Sequence, residues 1–192
     1  IQSIQQPAIS GQANNMMLFE FKRGDNEWLS TIIDNYSVLK TANYDLCILD
    51  SSDKGFGFKK DIHVWIRKQD YENANLMILL SYIILGHPDW KKGKIKIFAT
   101  FPKESMAIEE KNLIDLTASG RLPISANNIR VLPLDNNKNS KDLINEYSSD
   151  ADLTLIGFHE GALKVDHPTE LFGGYTIGNI LFVNTLKSKF IK

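Results

Sequence analysis

The sequence predicts an α/β fold built on a doubly wound, mostly parallel sheet. Two observations carry this. Strand-like apolar runs alternate with helix-patterned segments over almost the whole chain. Several of the runs are continuous, as strands buried on both faces must be.

The elements follow in order. Met16-Met17-Leu18-Phe19-Glu20-Phe21 reads as a buried strand, and Lys22-Arg23-Gly24 as the turn after it. Asp25 or Asn26 suits the cap of a helix whose apolar face is Trp28, Leu29, Ile32, Ile33, Tyr36 and Leu39. Tyr44–Asp50 is the second strand. A polar loop with Gly55 and Gly57 leads to a third, Ile62–Ile66. A helix from Glu72 is stopped by Gly86-His87-Pro88. Lys94–Phe101 is the fourth strand, and Lys103–Ser119 a helix closed by Gly120. Ile129–Leu132 is a strand, Lys141–Ser148 a short helix and Leu153–Gly157 the sixth strand. A Gly-rich loop precedes the last strand, Ile180–Asn184.

Residues 1–15, rich in Gln, Ser and Asn with Pro7 and Gly11, read as a linker or the remnant of a preceding region. Residues 16–192 read as one domain, since 43% hydrophobic content supports a real core. A net charge of −1 argues against nucleic acid as the main partner and against a strongly basic membrane-surface patch. The lone cysteine, Cys47, lies in an apolar run, so a reducing compartment and a buried core position are expected. No signal peptide or initiator Met is visible, as expected of a piece of a longer protein. The longest apolar stretch, Leu76–Leu85, is shorter than the roughly 20 residues of a membrane span.

Open parallel sheets bind ligands beyond the carboxyl ends of their strands. Asp50-Ser51-Ser52-Asp53 offers two carboxylates for a divalent metal or acid–base work, against a plain turn. His63, His87, His159 and His167 do not share helical ligand spacing; His159 and His167 share a loop with Glu160 and Asp166. His63 lies on a strand and reads as a satisfied core or helix-facing residue. No serine sits in a nucleophile elbow, so no catalytic residues and no metal are expected. Gly157, Gly161, Gly173, Gly174 and Thr176 frame a loop similar to the nucleotide loop of universal stress proteins. Two readings stay open there: ATP or a related nucleotide, or glycines that serve turns and a cap, with Asp166 and Glu170 opposing phosphate. Trp90-Lys91-Lys92-Gly93-Lys94 is the main basic cluster, either a solvated turn or a contact for an acidic surface or anionic lipid heads.

Several segments resemble, in order, the C-terminal cytoplasmic domain of cation–chloride cotransporters of the Na-K-Cl type and their prokaryotic relatives. Asn14–Phe21 resembles the family's opening strand, and Trp28–Asp50 the next unit. Asp61-Ile62-His63-Val64-Trp65-Ile66 resembles its Trp-Trp strand, with one Trp kept. Asn75–Leu85 is similar to a helix reading Leu-Leu-x-Tyr-Leu-Leu. Asp89–Phe98, Ser149–Gly157 and Ile180–Val183 continue the likeness, which spans residues 14–184. The long charged insertion of animal members is missing.

The resemblance implies a universal-stress-protein-like fold and a non-catalytic regulatory domain on the cytoplasmic side of the cell membrane. Its partners would be the membrane-embedded part of the same transporter, a symporter of sodium, potassium and chloride, and a second copy in a homodimer. Trp90, Phe56 and Phe58 are the expected exposed contacts. The alternative is a nucleotide-sensing module.

Overall fold

The computed structural model describes residues 14–119, 125–134 and 139–187. Residues 1–13 of the predicted linker and the predicted stop at Gly120 lie outside them. The elements are β1 (Met16–Lys22), α1 (Asn26–Asp34), α2 (Tyr36–Thr41), β2 (Asp45–Ser51), β3 (Asp61–Arg67) and α3 (Ala74–Leu85). Then come β4 (Lys94–Phe101), α4 (Met106–Ser119), β5 (Ile129–Pro133), α5 (Ser140–Tyr147), β6 (Leu153–Gly157) and β7 (Asn179–Asn184).

The strands form one sheet in the order β1-β2-β7-β6-β3-β4-β5. Every pairing is parallel except β2 with β7. The α/β fold is therefore mostly parallel, as the sequence predicts, and consistent with a universal-stress-protein-like domain. Within it β1 and β2 run against all the other strands. The cause is the β2–β3 link. Residues 52–60 contain no helix, and a parallel return needs a crossover of about a dozen residues or more. The chain instead stays at one end of the strands and crosses the starts of β7 and β6. Asn179 at the start of β7 accepts the Ser52 N–H at 2.8 Å. Asp152, just before β6, accepts the N–H groups of Phe58, Lys60 and Asp61 at 2.9, 2.7 and 3.0 Å.

The helix predicted over Trp28–Leu39 is two helices. Asp25 caps α1 by accepting the Trp28 N–H at 3.0 Å. Asn35 breaks it: the side-chain amide donates to the Thr31 carbonyl at 2.7 Å, and Asn35 stands between α1 and α2. Leu29, Ile32, Ile33, Tyr36 and Leu39 of the predicted apolar face are buried, but Trp28 is 45% exposed, its indole N–H donating to the Glu20 carbonyl at 2.8 Å.

Two apolar layers cover the sheet. Trp65, Phe98, Ile156 and Phe182 meet residues of α1, α2, α5 and the segment 158–178. That segment takes the place of a crossover helix, burying Phe158, Phe172, Tyr175 and Ile177. Val64, Ile66, Ile97 and Leu155 pack on the other side with Met77 and Ile78 of α3 and Leu113 of α4.

Candidate functional site

The residues singled out for chemistry are separated by the fold. Asp50 is fully buried, whereas the Asp53 side chain is 91% exposed beside Lys22. Arg23 donates from Nε to both Asp50 oxygens, at 3.1 and 2.9 Å, and from Nη1 and Nη2 to the carbonyls of Ile177 and Gly178 at 2.6 and 2.7 Å. Burial pushes the Asp50 carboxyl up, and the Arg23 hydrogen bonds and charge oppose it. This is a clamp tying the end of β1 to the start of β7.

Cys47 is buried, with its thiol pushed up to about 12 by burial and then by Asp45. His63 Nδ1 lies 2.9 Å from Ser148 Oγ, which also accepts the Trp65 indole N–H at 2.8 Å. Desolvation, then the Lys96 charge, lowers His63 to about 4, so the imidazole is neutral. The expectation of a satisfied core histidine holds for one nitrogen. Nε2 and the hydroxyl of Thr154, the register partner on β6, have no hydrogen-bond partner among the described residues. His87 accepts the Asp89 N–H at 3.2 Å, and His159 and His167 precede separate 3₁₀ turns. Among the described residues, no three His, Cys, Asp or Glu side chains gather where they could hold a metal ion.

The five nucleotide-loop candidates are spread along the β6–β7 segment. Gly157 ends β6, and its carbonyl accepts from Arg67 Nη2 at 2.7 Å. Gly161 stands against the His159 ring. Lys141 Nζ donates to the carbonyls of Gly173 and Glu170 at 2.7 and 2.9 Å, and its stem borders Gly174 (φ +78°). The Thr176 N–H donates to Asn145 Oδ1 at 2.9 Å. Burial lowers the Lys141 ammonium, Glu170 opposes this, and the like charge of Arg67 adds to it.

A polar latch that the sequence reading missed lies nearby. Asn73 and Asn184 each donate to the Phe158 carbonyl at 2.9 Å, and Asn73 accepts the Thr185 N–H at 2.7 Å. Asp45 accepts the Leu186 N–H at 2.9 Å. The signal was present in polar residues at strand ends, Asp45 and Asn184.

A concave feature lies on the α3 side of the sheet. It is an apolar groove of about 480 Å³ among Leu18, Leu49, Ile83, Ile84 and Leu181, rimmed by Phe56, Lys59, His87, Asp89 and Trp90. It exists because α3 covers the middle of the sheet, while no described helix covers the neighbouring face of β1. Leu18 and Ile83 are each 61% exposed. A helix as uniformly apolar as α3 belongs in an interior, yet Tyr82 and Ile83 are open. Phe56 and Phe58 are exposed, as expected of contacts, but Trp90 is not. Its indole is buried, packed into the core with Phe56 edge-on at 6.2 Å between ring centroids. No described helix is long and apolar enough to cross a membrane.

No family model and no curated protein matches the sequence. Solved structures do. The cytoplasmic domain of a prokaryotic cation chloride cotransporter is similar with a TM-score of 0.54 and 18% identity, over 90% of this chain and 64% of that one. A functionally unknown protein from Pseudomonas aeruginosa is similar with a TM-score of 0.53 and 16% identity, over 86% of this chain and 62% of that one. The chain thus spans less than two thirds of either neighbour and shares with them this α/β fold.

Proposed function

We propose that the chain is a non-catalytic regulatory domain of a cation–chloride cotransporter-like membrane transporter, held on the cytoplasmic side of the cell membrane. It works by docking against the membrane-embedded part and a second copy of itself. The groove between β1 and α3 carries this reading, because it leaves Leu18 and Ile83 open on an apolar surface. The fold shared with a cotransporter's cytoplasmic domain supports it. Docking that favours one conformation of the transporter shifts its equilibrium by the difference in contact energy. Sodium, potassium and chloride are the ions the reading implies.

The test is chloride-dependent rubidium uptake in cells expressing the complete reading frame, with and without Ile83→Ser. A changed rate at equal protein level supports the reading. Absence of chloride-coupled uptake overturns it.

A second reading, a nucleotide-sensing module, draws on Arg67 and Lys141 beside Gly157 and Gly173. It requires ATP to raise the melting temperature of the chain, and Gly161→Asp to abolish that rise.

A further inference from the structure

We propose that the end of the sheet formed by residues 52–60 and 86–94 is a contact site for an anionic lipid bilayer surface. It shares Phe56, Lys59, His87, Asp89 and Trp90 with the rim of the groove, but Phe58, Lys91 and Lys92, which carry the proposal, lie outside the groove.

The two loops are one surface. Lys94 N–H donates to the Lys60 carbonyl at 2.6 Å, Lys59 pairs with Asp89, and the Phe56 ring stands edge-on to Trp90. Together they carry six lysines (54, 59, 60, 91, 92 and 94) against Asp53 and Asp89, with Asp152 behind the first loop and Asp61 and Asp150 beside Lys96 at the same end of the sheet, in a chain whose net charge is −1. The basic charge is therefore local, and Lys54, Lys60, Lys91, Lys92 and Lys94 are exposed.

An isolated exposed aromatic needs no explanation. Phe58 is different in its setting. It is 84% exposed at the tip of the loop. Its own N–H and that of Lys60 are fixed by Asp152, so the tip is ordered before it meets anything. Lys60 Nζ lies 5.5 Å from its ring centroid. A protruding ring surrounded by lysines suits a bilayer: the ring enters the headgroup–acyl boundary while the ammonium groups stay with the phosphates. A protein partner would need a pocket for the ring. Each lysine near an anionic surface strengthens binding about five-fold.

The experiment is co-sedimentation of the 192-residue chain with phosphatidylcholine vesicles and with mixed phosphatidylcholine–phosphatidylserine vesicles. Binding to the mixed vesicles alone, weakened by salt, is expected. Phe58→Ala should lower that binding about ten-fold, and Lys91→Glu with Lys92→Glu should remove it. Free glycerophosphoserine should not compete. All three side chains are exposed, so melting temperatures should match the parent. Ile83 lies outside both loops, so Ile83→Ser should bind vesicles normally, while Phe58, Lys91 and Lys92 lie outside the groove lining, so their variants test the bilayer contact and not groove docking. Failure to bind the mixed vesicles overturns the proposal. So does binding that ignores Phe58→Ala and is fully competed by polyglutamate, which would mark an acidic protein surface instead.

Discussion

Asp152 occupies the space that a side chain on Gly57 would need. Its Oδ1 lies 2.1 Å from the position of a Cβ there, and the same atom accepts the Phe58 N–H at 2.9 Å. The β2–β3 link thus depends on one carboxylate and one glycine.

Gly57→Ala must both adopt φ +50° and displace that carboxylate. Gly55→Ala, at φ +57° with open space around it, meets only the backbone strain. Gly55→Ala should cost about 1 kcal/mol and Gly57→Ala distinctly more in urea unfolding. Asp152→Ala strips an acceptor from three N–H groups and should cost about 2 kcal/mol. Equal costs for the two glycine variants would contradict the geometry.

Arg23 is the counter-charge of buried Asp50. Arg23→Met leaves that carboxylate without it, at a cost of about 3–5 kcal/mol near neutral pH. The pH dependence has a definite sign. Without Arg23, burial alone acts on Asp50 and raises its folded-state value further, so protonation favours the folded state. The defect should shrink as pH is lowered through that raised value. A defect independent of pH would show that Asp50 is not its source.

His63 gives the opposite slope. Folding lowers its value from 6.5 to about 4, so the folded state binds this proton less readily than the unfolded chain. Its contribution is complete above the unfolded value and is lost as pH falls toward about 4. The stability lost across this window is of order 3 kcal/mol. Comparing the parent with His63→Gln isolates it from the carboxylates, and the variant should have the flatter profile.

Strands and most helices were legible because burial on both faces writes near-continuous apolar runs into the sequence. Leu46–Leu49 of β2 and Leu153–Ile156 of β6 are two of them. The reversal of β1 and β2 was encoded less directly, in the lack of a helix between Ser51 and Asp61. The break at Asn35 escaped because the apolar spacing runs on through it. The groove escaped for a different reason. Leu18 and Ile83 look like core residues in sequence, and only the sheet order shows that no described helix covers them. Trp90 failed in the reverse sense: its loop position suggested a surface, while its ring fills the core.

Cys47 should resist thiol reagents in the folded chain. Its thiol is raised to about 12 and its sulfur lies 3.5 Å from Met16 Sδ under the sheet's edge. Reaction with a disulfide reagent at neutral pH should follow unfolding, and accelerate only with urea. Rapid labelling of the native chain would show that β1 opens.

Ile83 and Met77 share α3 but face different surroundings. Met77 is fully buried, and Met77→Ala should cost about 2–5 kcal/mol. Ile83 is 61% exposed, so Ile83→Ser should change stability by no more than about 0.5 kcal/mol. If the groove holds a second copy, the same substitution should weaken self-association about ten-fold in sedimentation velocity. That combination, neutral for folding and costly for association, is the signature of an apolar side chain kept for a partner. A monomer at every concentration, for parent and variant alike, would leave the groove to the membrane-embedded part and remove the homodimer from the proposed function.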